Sequence, residues 1–333
     1  MKMVFYSLQG LGNSIMNFPI FHRLRECADY DVKVVCFNNG SSAFYKAFRA
    51  EVVGVSSRKE LLRVARRMEV DASFTCYPTW RRELSASYLT PAGNQFILRP
   101  FDNFWARWFW DFQAEADPKF HHVENNLRLL SYVPSVKPTY VSMMEALDLP
   151  EQTPARVLGV HPTASSEVKY YPIKFWKELL QKFGGEFSEI LLFCGASATE
   201  FNFCKSIKNQ VPEAKITIFS GLGFHELAMR IAGCAHFIGS DSALLHLAAM
   251  LGRPCLGLWS FANFRVIYPY GDHVQIMIPR ETLTAKTFEY PGAPPAYLAR
   301  ASGKQAFDIY TDAPKPNFTI KPKIANPVRF YTF

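Results

Sequence analysis

The sequence contains no run of about 18 or more uninterrupted apolar residues, the length that a membrane-spanning helix requires, so a helical span is excluded. It contains no C-x-x-C either. The seven cysteines stand apart at Cys27, Cys36, Cys76, Cys194, Cys204, Cys234 and Cys255, an odd number with no zinc-ribbon or redox spacing. Buried thiols are the expectation, with Cys36, Cys76 and Cys194 ending strands and Cys204 and Cys234 on helices. No internal repeat stands out, and no recognition module for nucleic acid accompanies the formal net charge of +8. Because Lys and Arg are dispersed, that charge equally suits an acidic substrate or the anionic surface of an inner membrane. Met1 to Leu8 reads as a first strand rather than a signal peptide, since its apolar run is short and Gln9-Gly10-Leu11-Gly12-Asn13 follows at once. A cytoplasmic protein is expected.

What is present is ample core: 49% hydrophobic against 20% charged residues in 333 positions, enough for two domains of about 100–200 residues each. The first half alternates strand and helix: Val4 to Leu8, a helix from about Asn13 to Cys27, Val32 to Phe37, a helix opened by the capping box Ser57-Arg58-Lys59-Glu60, then Ala72 to Tyr77. Between Phe96 and His122 the pattern breaks at an aromatic stretch holding Trp105, Trp108 and Trp110, candidates for the domain base or for an acceptor site. A helix from Val123 to Val133 follows, then a linker near 144–154. From Val157 the alternation restarts and runs to Leu258. These elements predict an α/β protein of two doubly wound domains facing across a cleft, residues 1–150 and 151–280, followed by a tail, 281–333. The tail's many prolines predict extended, irregular chain packed on the domains, with little support for a long helix.

One stretch points to a ligand. Gly239-Ser240-Asp241-Ser242-Ala243-Leu244-Leu245-His246 reads as a buried strand running into a helix whose first turn carries Asp, Ser and His. Helix starts at the carboxyl ends of parallel strands collect anions, because unpaired N–H groups and the helix dipole favour phosphate. The structural alternative is that Asp241 or Ser242 merely caps the helix while His246 packs against the next strand.

Extended to Pro254, the stretch resembles the nucleotide-sugar signature of glycosyltransferase family 9, the heptosyltransferases, D-[ST]-G-x-x-H-x-A-A-x-x-x-x-P. Asp241, Ser242, His246, Ala248, Ala249 and Pro254 match in order, and Ala243 stands where the family has Gly. His161-Pro162-Thr163-Ala164 followed by Lys169-Tyr170-Tyr171-Pro172 resembles the family's H-P-[GT]-[AS] and K-x-[WY]-P. The resemblance implies the fold called GT-B and a metal-independent, inverting glycosyltransferase of lipopolysaccharide biosynthesis. Its donor would be a nucleoside diphosphate sugar, ADP-heptose as the first guess, and its acceptor a cell-surface glycan or glycolipid. Ser240, Asp241, Ser242 and His246 would frame the donor, while Thr163 and Lys169 would hold its diphosphate and neutralise charge on the leaving group. Glu200, after Cys194-Gly195-Ala196-Ser197, would accept from the ribose hydroxyls, and Leu222 would frame the base. Ser197 and Glu200 also form an S-x-x-E capping box, which stabilises a helix start without any ligand.

Gly10-Leu11-Gly12-Asn13, with Pro19 following, aligns with the family's G-D-x-x-x-x-x-P, whose Asp is the proposed general base. An amide has no lone pair of useful basicity, so Asn13 can only orient a substrate. His121 and His122, before a segment resembling the family's next helix, are candidate substitutes, since imidazole titrates near neutrality. Capping and packing are their alternative role. Two other functions stay open: a catalytically silent nucleotide-sugar-binding protein lacking the base, and a nucleotide-sugar epimerase or hydrolase of the same plan.

Overall fold

The computed structural model describes residues 1–76, 81–99, 112–115, 117, 120–149, 155–260, 267–284, 296–311 and 329–332. Contacts divide the chain into two compact units, the first holding Met1–Asp148 and the second nearly all of the remainder.

The first unit is a parallel sheet of β1 (Lys2–Ser7), β2 (Asp31–Phe37), β3 (Glu51–Val55), β4 (Ala72–Thr75), β5 (Asn94–Arg99) and β6 (Phe112–Glu115), in the order β3-β2-β1-β4-β5-β6. Its helices are α1 (Leu11–Met16), α2 (Phe18–Glu26), α3 (Gly40–Ala47), α4 (Arg58–Arg66), α5 (Arg81–Leu89), α6 (His122–Leu130) and α7 (Met143–Ala146). β1 is buried along all but its first residue, as a central parallel strand covered on both faces must be. Phe5 from β1 stacks on Phe74 at 5.9 Å and meets Phe21 and Tyr45 on the helix side. Each ring so enclosed contributes about 1.5–3 kcal/mol.

Several features differ from the sequence reading. The single helix expected from Asn13 to Cys27 is two, α1 and α2, joined at Asn17: Pro19 lacks the N–H that a continuous helix would donate to Ile15, so the helix restarts around it. The break expected after Phe96 contains β5 and β6, two further parallel strands, whereas Trp105, Trp108 and Trp110 lie outside the described residues. Cys234 lies on a strand, not a helix; six cysteines are buried and Cys27 is half-buried.

The second unit holds β7 (Ala155–His161), β8 (Glu189–Cys194), β9 (Ile216–Ser220), β10 (Cys234–Ser240), β11 (Cys255–Leu258), β12 (Val274–Ile278) and β13 (Arg329–Thr332). They form one parallel sheet in the order β13-β12-β11-β10-β7-β8-β9. Strand order reverses between β7 and β10, which makes their carboxyl ends the switch point where such sheets bind ligands. Helices α8 (Ile173–Phe183), α9 (Ala198–Gln210), α10 (Phe224–Ala232) and α11 (Ala243–Met250) connect them, and α12 (Arg280–Thr284) follows β12. Pro172 is the N-cap of α8 rather than part of its first turn.

The tail departs most from expectation. Beyond its first prolines it forms α13 (Gly303–Thr311), which packs on α8, and then β13, which pairs in parallel with β12. Phe307 and Tyr310 from α13 close on Phe183 at 4.9 and 4.8 Å. The helices approach so closely because Gly303 has no side chain: a Cβ there would meet the carbonyl oxygen of Phe175, and the backbone nitrogen of Leu179 at 2.5 Å. Backbone atoms cannot give way as a flexible side chain can. Gly303→Ala should therefore cost about 1–3 kcal/mol by overpacking, while Gly185→Ala, at a site with nothing within 4 Å, should not. Urea unfolding of both variants checks this; equal midpoints would show that α13 is not held by that contact.

Candidate functional site

At the switch point, β10 ends in Ser240, and Asp241 and Ser242 lead into α11. Ser240, fully buried, donates its hydroxyl to Pro162 O at 3.2 Å and so ties the ends of β10 and β7 together. Ser242 stands at the N-cap of α11 but its side chain makes no capping bond. The first-turn N–H groups of α11 therefore keep their capacity for an external acceptor. Lys169 arrives from the short turn Glu167–Lys169 and donates from Nζ to Asp241 Oδ2 at 2.6 Å, the two side chains being only 14% and 8% exposed. A cation and the start of a helix thus flank one spot.

The hydroxyl of Ser242 turns instead to His161, Oγ to Nδ1 at 2.7 Å, while His161 Nε2 lies 3.2 Å from Thr163 Oγ1. Thr163 in turn donates to Glu200 Oε2 at 2.8 Å. These bonds fix the proton positions. A carboxylate only accepts, so Thr163 spends its proton on Glu200 and must accept from His161 Nε2–H; Nδ1 is then the acceptor for the Ser242 hydroxyl. His161 was part of the recognised motif, but its bridging role is one that sequence reasoning missed.

Glu200 shows how far the capping box goes. Ser197 Oγ does accept from the Glu200 N–H at 3.2 Å, as a cap would. The carboxylate, however, accepts from Gly195 N–H at 2.9 Å, from Ser197 Oγ and from Thr163, which draws it toward the ends of β7 and β8. A Cβ at Gly195 would lie 2.6 Å from Glu200 Oε1, so a side chain there would push the carboxylate from this position. Beyond β9, Ser220 Oγ donates to Gly195 O at 2.8 Å, and the half-buried Leu222 follows Gly221, whose φ of 66° suits glycine. Thr163, Lys169, Glu200, Ser240, Asp241 and Ser242 are brought together at one sheet edge.

His246, on the first turn of α11 and 5% exposed, has its Nδ1 enclosed without a hydrogen-bond partner. Burial pushes its pKa down to about 4, against the opposing charge of Asp241 and with help from Lys169; burial does the same to His161, also to about 4. Both imidazoles are neutral near pH 7. Because the folded values lie below the ordinary 6.5, this stability is present above about pH 6.5 and is lost as pH falls toward 4. Each group contributes a slope of about 1.4 kcal/mol per pH unit in that window. Urea midpoints should fall from pH 7 to pH 5, and His246→Gln should flatten that fall; an unchanged slope in the variant would contradict the burial of a neutral imidazole.

In the first unit, Asn13 lies on α1 half-buried, and its side chain makes no hydrogen bond among the described residues. His121 is the N-cap of α6: its Nδ1 accepts from Val123 N–H at 3.1 Å and Glu124 returns the bond to its backbone. His122, fully buried, bonds Asn17 Oδ1 at 2.9 Å, as Asn126 does at 3.0 Å. Both histidines therefore serve as cap and core, a geometry that offers no open nitrogen lone pair to a substrate from His121 Nδ1. Asp29-Tyr30-Asp31, the one D-x-D triplet in the sequence, opens β2 at the amino edge of its sheet, the edge opposite the helix starts. Among the described residues no group of three or more His, Cys, Asp or Glu is placed to hold a metal ion.

The same fold is found in known proteins. The chain is similar in structure to the Escherichia coli heptosyltransferase WaaC with ADP, with a TM-score of 0.72 at 15% identity, covering 93% of this chain and 99% of that one. A glycosyltransferase family 9 protein from Veillonella parvula gives 0.68 at 17% identity, with 92% and 95% covered. The E. coli ADP-heptose lps heptosyltransferase II gives 0.64 at 16%, with 92% and 97% covered. No curated protein matches the sequence significantly. The profile of glycosyltransferase family 9 (heptosyltransferase) matches residues 92–298, more than half of the sequence. With two parallel Rossmann-like sheets of the GT-B class, this chain belongs to glycosyltransferase family 9, the heptosyltransferases.

Proposed function

We propose that the chain transfers a sugar, heptose-like in the first instance, from a nucleoside diphosphate sugar to a cell-surface glycan or glycolipid, with inversion and without a metal ion. The observation that carries this reading is the meeting of Lys169, Asp241 and the uncapped start of α11 at the switch point of the second sheet. A diphosphate laid there takes the α11 N–H groups as donors and draws Lys169 from Asp241, so positive charge grows effective as negative charge develops on the leaving group. Glu200, held by Gly195 and Thr163, retains lone pairs for ribose hydroxyls. The solved WaaC structure with ADP supports ADP as the first nucleotide to try.

The first unit then takes the acceptor. Its helix α4 and the C-cap Arg67 present Arg58, Lys59, Arg63, Arg66 and Arg67 to solvent, and no ion pair among the described residues neutralises them. That face supports a peripheral seat on the anionic cytoplasmic surface of a membrane. A second reading, a nucleotide-sugar binder without turnover, is favoured by the enclosure of His121 and His122, together with the motif resemblance that sets Asn13 against the family's Asp.

Two outcomes test this. ADP should raise the melting temperature in EDTA, with about 2.7 kcal/mol gained at a hundredfold excess over Kd. Lys169→Ala should weaken ADP about 10- to 100-fold, the worth of a charged hydrogen bond, and leave adenosine unchanged. Equal losses for both would make Lys169 structural, and a shift that requires magnesium would sink the metal-free reading.

The second outcome concerns turnover. In single-turnover transfer from ADP-heptose, Asn13→Asp should raise the rate by up to about 10²–10⁴, the usual contribution of a positioned base. Asn13→Ala should lower it only modestly. A large loss in Asn13→Asp with ADP affinity intact would mean that the amide itself is needed.

A further inference from the structure

Ten positions apart in sequence, Cys194 and Cys204 meet in the fold and hydrogen-bond thiol to thiol. Cys194 ends β8, and Cys204 lies on the second turn of α9. Only Gly195, Ala196 and Ser197 separate strand from helix, so α9 turns straight back over the end of β8. The buried face of the helix, Cys204 with Ile207, then packs into the same core cluster as Cys194. Cys194 is 7% exposed and Cys204 fully enclosed, so a small oxidant meets Cys194 first.

Cys194 also differs from the other core thiols. The hydrogen bond from Cys204 outweighs burial and brings its pKa down to about 7. Burial instead pushes Cys36 up to about 11 and Cys234 up to about 12, and raises Cys76 and Cys255 as well. Since the thiolate is the nucleophile, Cys194 is the reactive member of this set. Cys204, by contrast, is pushed up by the bond it donates and by burial, and remains a thiol beside it.

The pair stands under the Glu200 network. Glu200 and Cys204 are four residues apart on α9 and so share one face of the helix. Gly195, which follows Cys194 directly, donates its N–H to Glu200 Oε2 at 2.9 Å. We infer that Cys194 and Cys204 form a peroxide-sensitive thiol pair whose disulfide displaces Glu200. The Cys194 thiolate attacks one oxygen of hydrogen peroxide; the O–O bond breaks, the sulfur becomes a sulfenic acid, and the departing oxygen takes a proton and leaves as water. Cys204 then gives up its proton and attacks that sulfur, the S–O bond breaks, and the hydroxide takes the proton and leaves as a second water. Two thiols are oxidised and one peroxide is reduced. A disulfide holds its sulfurs about 2.05 Å apart, closer than any hydrogen-bonded pair, so α9 is drawn toward β8 and carries Glu200 off its bonds to Gly195 and Thr163. The effect on nucleotide rests on the donor reading above; the disulfide itself does not.

The test exposes the full chain to hydrogen peroxide, blocks remaining thiols by alkylation, and reads intact mass, peptide map and ADP thermal shift on the same samples. Expected are the loss of two hydrogens, a crosslinked peptide pair holding Cys194 and Cys204, and recovery with dithiothreitol. ADP binding to the oxidised chain should weaken about tenfold, the worth of a charged hydrogen bond. Cys204→Ala should keep the reduced chain's ADP shift and accumulate a Cys194 sulfenic acid that dimedone traps, whereas Cys194→Ser should form neither adduct nor crosslink. Cys204→Ser gives the same readout if the alanine variant fails to fold. The inference is overturned if Cys194 stays reduced, if a different pair is crosslinked, or if the mapped disulfide leaves ADP affinity unchanged. An ADP shift absent already from the reduced chain would sink the donor reading instead, and the peptide map would then judge the disulfide alone.

Discussion

A neutral imidazole holds the second unit's functional edge together. His161 sits at the end of β7 and bridges Ser242 at the start of α11 to Thr163, which passes the chain of bonds to Glu200 at the start of α9. Protonated, it would donate on both nitrogens, and Ser242 would have to turn its proton elsewhere; burial prevents this by holding the pKa at about 4. The consequence is positional. With the Ser242 hydroxyl committed to His161, the start of α11 is left uncapped, and the nearest mobile charge is Lys169 on Asp241. On the proposed reading, a site built this way is arranged for an anion before one arrives, the electrostatic preorganisation that leaving-group stabilisation requires.

Much of the second unit was legible because each of its elements from Val157 to Leu258 obeys its own local rule. Buried parallel strands such as Ile190 to Cys194 read as short apolar runs, and α8 has the 3.6-residue apolar period that buries Phe175, Trp176, Leu179, Leu180 and Phe183. The first unit hid more. β3, with Gly54 in the middle of Glu51–Val55, is too short and too mixed to stand out, and α3 starts on Gly40. The tail hid α13 and β13 because their stability is tertiary: an α13 start pressed onto the α8 backbone at Gly303, and a strand completed by β12. At the site, residue types pointed to Asp241, Lys169 and Glu200, but no pattern in one dimension could reveal that Thr163 spends its proton on Glu200 or that His161 is the bridge.

The two units carry different kinds of chemistry. The second gathers charge and helix starts at its switch point, which suits a diphosphate. At the carboxyl edge of the first, Gln9, Asn38, Asn39, Ser56 and the Arg82 guanidinium line a pocket of about 400 Å³. On α1 the first unit also carries Asn13, a residue that can orient but cannot take a proton. On the proposed reading, transfer without an aspartate at this position depends the more on stabilising the leaving group, since an oxocarbenium-like transition state is assisted from either side.

A crystal structure of the chain with ADP tests the central claim most directly. The account predicts phosphate oxygens on the first-turn N–H groups of α11, Lys169 Nζ moved from Asp241 to phosphate, and a ribose hydroxyl on Glu200. ADP seated at any other edge, or Lys169 still paired with Asp241 while the diphosphate points into solvent, would contradict it.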